Sequence, residues 1–197
     1  MAALLAVVLA PSARGQMRDP LGQLEPSVRY SVELLLDSAR LAGVPTRPLE
    51  SKALEGLSKR ADGRKIVLEV RRVLRDLREA RSAVGARSED ELTAAAAALR
   101  VGITRAELAR LASSRQDKQL TVPLVVLVDL ISRGVPRDTA SQTISQLWQH
   151  GAADDDFLGL WSGVQRDIVS GTDPGAALMN RAREIPSRAP VASPRPE

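Results

Sequence analysis

The chain has 197 residues, with 28 Lys+Arg against 24 Asp+Glu, one His and no Cys. That length suffices for one domain with a real core, and no apolar run reaches the roughly 18 residues a membrane span needs. The lack of cysteine excludes thiolate catalysis, disulfide frameworks and Cys-based zinc or iron–sulfur sites. A single histidine, His150, excludes His-pair metal sites and weakens any serine-type triad.

Residues 2–10 (AALLAVVLA) form an apolar run, followed by Pro11, Ser12 and Ala13-Arg14-Gly15 before Gln16. This reads as the apolar region, breaker and small-x-small cleavage site of a signal peptide spanning 1–15, cut between Gly15 and Gln16. No Lys or Arg precedes the run, so the α-amino group supplies the only leading charge unless translation begins upstream. A docked apolar helix is the simpler alternative. Export implies a periplasmic or secreted protein. Residues 16–26 read as a loose lead-in, and 27–184 as one all-helical domain. Residues 185–197, with Pro186, Pro190, Pro194 and Pro196, read as a disordered tail that cannot bury enough surface to offset chain entropy.

Aromatic residues are limited to Tyr30, Trp148, Phe157 and Trp161, so Leu, Val and Ala must build the core. Three apolar sets advance in steps of three and four. They are Val28, Val32, Leu35 and Ala39; then Ile66, Val70, Val73, Leu77, Ala80 and Val84; then Phe157, Trp161, Val164 and Ile168. Each predicts one buried stripe on a helix. Residues 123–133 (PLVVLVDLISR) are apolar nearly all round. Their middle could pass for a strand, but Pro123, Asp129 and the Arg133-Gly134 ending favour a short central helix. It should be wrapped by Ile144, Leu147, Trp148, Leu160 and Trp161.

Between the stripes a punctuation recurs: Gly43-Val44-Pro45, Gly102-Ile103-Thr104, Gly134-Val135-Pro136 and Gly171-Thr172-Asp173-Pro174. Glycine supplies a left-handed helix stop, and Pro, Thr or Asp opens the next helix. Gly85 and Gly151 are weaker versions. Ser88 with Glu91 and Thr104 with Glu107 have capping-box spacing. Seventeen residues separate Gly43 from Arg60, Gly85 from Gly102, and Gly134 from Gly151, so units begin 42 and 49 residues apart. The expected fold is all-α: an irregular helical bundle, or a short array of about three degenerate helix-turn-helix pairs.

Candidate chemistry is sparse. Asp154, Asp155 and Asp156 could hold a hard cation, but at a helix start they read first as caps. His150 reads as a dipole-stabilised residue at a helix end. No phosphate-binding glycine loop matches, and no cofactor is expected. Residues 59–87 carry ten Lys/Arg against Asp62, Glu69, Asp76 and Glu79, a local net of +6. Arg71, Arg72, Arg75 and Arg78 are the candidate surface for an acidic partner, with Arg72–Asp76 and Arg75–Glu79 expected as helical ion pairs. Arginine outnumbers lysine 24 to 4, which coding-DNA composition alone could produce. The segment from Gly102 to Leu108 resembles the turn and second helix of a DNA reader. With no aromatic among the charges to stack a base, nucleic acid is the less favoured partner. Gln142, Gln146 and Gln149 mark a polar helix face on which a groove is conceivable. A hydrolase would need Asp129 beside a second carboxylate such as Glu55 or Asp167.

The segments from Ala53 to Lys59, Leu120 to Leu127, Arg133 to Pro136 and Asp167 to Gly171 resemble a group of uncharacterised exported bacterial proteins, over residues 34–178. Where that group would repeat a Gly-Val-Pro turn after Lys59, this chain has Arg60-Ala61-Asp62. The resemblance implies an exported helical protein and brings no activity. The resulting expectation is a non-catalytic binding or scaffolding protein of the bacterial envelope or periplasm, engaging a protein or envelope component. The alternative is an intracellular nucleic-acid binder using residues 59–87.

Overall fold

The computed structural model describes residues 20–186. The expected leader, including Gly15 and Gln16, lies outside the described residues, as do 16–19 and 187–197 of the expected lead-in and tail. Part of the lead-in packs firmly. Pro20–Gln23 is a single 3-10 turn, and Leu21 and Leu24 are buried in the core. At the other end Ile185 also packs against the core.

Among the described residues there are nine α-helices and no strand. They are α1 (Pro26–Leu41), α2 (Arg47–Ser58), α3 (Gly63–Val84), α4 (Glu89–Arg100), α5 (Arg105–Ser114), α6 (Thr121–Ser132), α7 (Arg137–Gln149), α8 (Asp154–Val169) and α9 (Pro174–Ala182). The principal contacts join helices one or two apart in the chain. Helices α1, α3, α5, α7 and α9 touch in succession, and α4, α6 and α8 form a second row packed behind. None of these contacts closes the stack from first helix to last.

The helix stops explain the recurring punctuation. Val44, Ala61, Ile103, Val135, Ala152 and Thr172 each donate their N–H back five residues, to Ala39, Gly56, Ala98, Leu130, Leu147 and Asp167. The residue before each donor lies in the left-handed region: Gly43, Arg60, Gly102, Gly134, Gly151 and Gly171. These are Schellman stops. Val44, Ile103, Val135 and Ala152 then plug the core, so the apolar residue after glycine has a packing reason. Arg60 fills the glycine position with φ 51°, among the described residues the one positive φ outside glycine. Gly85 is a different stop, with φ 82° and ψ −162° and its N–H on Arg81 O. The matching 17-residue spacing from Gly85 therefore does not mark an equivalent unit, and α3, at 22 residues, breaks the expected repeat.

All six predicted core residues of α3 are buried, each contributing roughly 1.5–3 kcal/mol if fully removed from water, less for alanine. They meet α1, α2, α4 and α5, making α3 the centre of the N-terminal half. In α1 the stripe uses Leu36 where Leu35 was expected; Leu35 is only half-buried. The segment expected as a central helix is α6. It begins at Thr121, ahead of Pro123, and packs on α4, α7 and α8. It is not wrapped all round, because Val125 is 52% exposed.

Candidate interaction surface

The core stripe of α3 fixes what its other side presents. Arg64, Leu68, Arg71, Arg75 and Arg78 step by four and three along the opposite face, and all are exposed. Arg78 Nη2 donates to Ser38 Oγ at 2.6 Å and to Ser38 O at 3.2 Å, tying this ridge to the last turns of α1. Arg81 continues the seam through Gly43 O at 2.8 Å. Beside the ridge, α1 exposes Tyr30, Leu34 and Leu41, which share one helix face.

The four candidate arginines therefore have unequal roles. The Arg71 side chain has no hydrogen-bond or ion-pair partner among the described residues. Arg72 pairs with Glu69 at 3.2 Å, not with Asp76. Arg75 Nη2 reaches Asp76 Oδ1 at 3.3 Å, not Glu79. Asp76 is buried and lines one recess with the α4–α5 turn; its guanidinium contact is the adjacent Arg75 and not the arginine a turn away. Arg72 faces the flank of the ridge, where α3 meets the end of α4 and the start of α5. A recess of about 560 Å³ opens there, walled by Arg72, Arg75, Asp76, Glu79, Arg100 and Arg105.

Many other arginines serve the fold. Arg87 donates to Ala112 O and Lys118 O. Arg115 donates to Trp148 O and Ala152 O while stacking over the Trp148 ring at 4.3 Å, and Arg137 donates to Gly102 O. With Arg78 and Arg81, these place cations on carbonyls at or just past helix C-terminal ends, where the helix dipole favours them. This is a structural use of arginine that composition alone did not reveal.

Both capping boxes are present. At the second, Thr104 N–H donates to Glu107 Oε2 at 2.7 Å. Burial alone would raise the Glu107 carboxyl, but hydrogen bonds from Thr104 and Ser141 bring it below its ordinary value. The first box holds more than its helix. Glu91 Oε1 also accepts from Leu120 N at 2.9 Å and Arg87 Nη1 at 3.0 Å. Burial pushes Glu91 up, and the N–H groups of Leu120 and Ser88, the Ser88 hydroxyl and Arg87 overcome it. Nothing in the local spacing signals the Leu120 bond, which depends on the α5–α6 connection passing over α4.

Asp156 accepts from Ala153 N–H at 2.8 Å, the expected capping use of the acidic triplet. His150 stands at the end of α7, with Nδ1 2.7 Å from Gln146 O. Asp129 accepts from Trp161 Nε1 and from Arg133 Nε, joining α6 to α8. Burial opposes its ionisation, yet Trp161 and Arg133 hold its carboxyl below the ordinary value. The two carboxylates considered beside it have basic partners elsewhere. Glu55 is drawn down to about 2 by hydrogen bonds from Lys52 and Lys59, and Asp167 makes a two-pronged pair with Arg181 at 2.8 Å. Gln142, Gln146 and Gln149 line a groove of about 390 Å³ between α5 and α7, with Glu107 and Arg110.

No helix among the described residues is long and apolar enough to cross a membrane. No family model matches the chain, and neither the curated proteins nor the solved structures contain a match.

Proposed function

We propose that this chain is a non-catalytic binding module of the bacterial envelope, exported by its leader, which engages an acidic protein segment across α1 and α3. The observation that carries the reading is the pairing of two exposed stripes. Arg64, Arg71 and Arg75 run along α3 with Leu68 among them, while Tyr30, Leu34 and Leu41 run along α1. Arg78 bridges the two helices, so the stripes lie side by side. An amphipathic segment with carboxylates along one edge and apolar anchors along the other complements both. Exposed aliphatic groups gain nothing from a nucleic-acid backbone, and Glu69, Glu79 and Asp37 interrupt the positive field a uniform polyanion would follow.

The test is fluorescence anisotropy with a labelled helical peptide of Glu and Leu in amphipathic register, set against its Lys/Leu counterpart and duplex DNA. The acidic peptide should bind, and Arg71→Glu with Arg75→Glu should weaken it by about tenfold or more. Binding of the duplex but not the acidic peptide would overturn the reading in favour of a nucleic-acid partner. Export is tested separately by mass spectrometry of fractionated cells. A product beginning at Gln16 outside the cytoplasm is expected, and an intact leader on a cytoplasmic protein contradicts it.

A further inference from the structure

A second feature of the same half of the molecule, which shares Arg75 with the α1–α3 face, points to a small ligand. Asp76 is 6% exposed. Its Oδ1 shares a long contact with Arg75, and its Oδ2, fully buried, has no hydrogen-bond partner. A buried acceptor without a donor is rare in folded proteins and asks for a reason. Asp76 lies in the wall of the 560 Å³ recess. The arginines that line the recess with it are Arg72, Arg75, Arg100 and Arg105. Arg105 is anchored to Ser82 Oγ at 2.6 Å, whereas Arg100 has no partner among the described residues.

The two kinds of group make opposite demands. Four guanidinium groups outnumber Asp76 and Glu79 and call for an oxyanion, whose geometry suits their forked donors. A carboxylate in their midst repels any anion that offers only lone pairs. One chemistry meets both demands: an oxyanion that keeps a proton, presenting oxygens to the arginines and a hydroxyl to Asp76. We propose that this recess binds a hydrogen phosphate group: the exposed Arg75 side chain, which lies against Asp76, swings onto the phosphate oxygens with Arg72, Arg100 and Arg105, and the carboxylate it uncovers accepts from the P–OH. Sulfate and phosphodiesters carry no such hydroxyl at neutral pH, so Asp76 discriminates against both. The recess is larger than one phosphate needs, so it accepts either the free ion or a monoester in its singly protonated form, whose second pKa is about 6.

The test is calorimetric titration of the folded full-length chain with inorganic phosphate and with sodium sulfate, at matched ionic strength and pH 7. Saturable phosphate binding, at least tenfold tighter than sulfate, is expected. Asp76→Asn turns one acceptor into a donor and should collapse that preference, with sulfate gaining as phosphate loses. Arg100→Ala, an exposed change that leaves the core untouched, should weaken phosphate about tenfold. Equal affinity for the two anions in the unmodified chain would overturn the proposal by showing charge attraction alone. So would the absence of saturation at millimolar phosphate, or a preference for phosphate that Asp76→Asn leaves unchanged. A titration with O-phosphoserine at pH 5.5, where the monoester keeps its proton, separates the sources. Tighter binding than inorganic phosphate supports a phosphorylated molecule, and weaker binding supports the free ion.

Discussion

Two buried carboxylates, Glu91 at the head of α4 and Asp76 in the middle of α3, have nearly the same exposure, 5% and 6%. Their surroundings differ completely. Glu91 is met by the N–H groups of Ser88 and Leu120, the Ser88 hydroxyl and Arg87. Asp76 has one long contact and one empty oxygen. Glu91 closes a joint between α4 and the α5–α6 connection, and its full set of partners is what a structural role demands. The incomplete set at Asp76 contributes nothing comparable to the fold and leaves that carboxylate, unlike Glu91, with capacity for a ligand.

The largest effect is expected at Glu91. Glu91→Leu leaves the Arg87 guanidinium, whose side chain is only 14% exposed, with carbonyl partners but no counter-charge, and leaves the Leu120 N–H without its acceptor. A loss of about 3–5 kcal/mol is expected in chemical denaturation, and a loss under 1 kcal/mol would show that the network is incidental. The same residue sets an acid limit. The folded Glu91 carboxyl lies below its ordinary value of 4.5, so its stabilisation is complete above that pH and is lost as pH falls through the lowered value. The gap in Tm between the unmodified chain and Glu91→Gln should be constant near neutrality and shrink below about pH 4.5. A gap that widens in acid would mean that the sign is wrong.

Asp76 should respond in the opposite direction. Without ligand, Asp76→Leu removes an unpaired buried oxygen and should raise the unfolding free energy by about 1–3 kcal/mol. Destabilisation instead would mean that Oδ2 is satisfied in solution. A gain in stability together with lost phosphate binding is the trade expected of a functional residue.

Much of the helical framework was legible because it is written locally. The Ile66-to-Val84 stripe, the Gly-Val-Pro punctuation and the two capping boxes are read within a few residues of one another, and all appear as expected. What escaped depends on which helices become neighbours. The ion pairs of Arg72 and Arg75 went to Glu69 and Asp76, a choice among several carboxylates within reach that helical spacing does not decide. The second use of Glu91 required the chain to return 29 residues later. The clamps made by Arg87, Arg115 and Arg137 reach carbonyls 25 to 37 residues away. For the same reason the recess was invisible: its walls come from α3, α4 and α5, and no short motif contains them.

The smallest predicted effect lies where sequence and structure meet most directly. Arg60 occupies the position that glycine holds in the five other Schellman stops. A non-glycine residue in the left-handed region is strained by roughly 1–2 kcal/mol, while glycine adds unfolded-state freedom worth roughly 0.5–1 kcal/mol. Arg60→Gly should therefore stabilise the chain by about 0.5–1 kcal/mol, read as a higher denaturant midpoint at unchanged slope. Arg60 makes no side-chain hydrogen bond or ion pair among the described residues, so little opposes the gain. Destabilisation would show that the guanidinium supports the α2–α3 turn through a contact formed only in solution. The same substitution also removes one positive charge from the 59–87 segment without touching Arg71 or Arg75. If acidic-peptide affinity depends on the ridge and not on net charge, it should survive Arg60→Gly nearly intact.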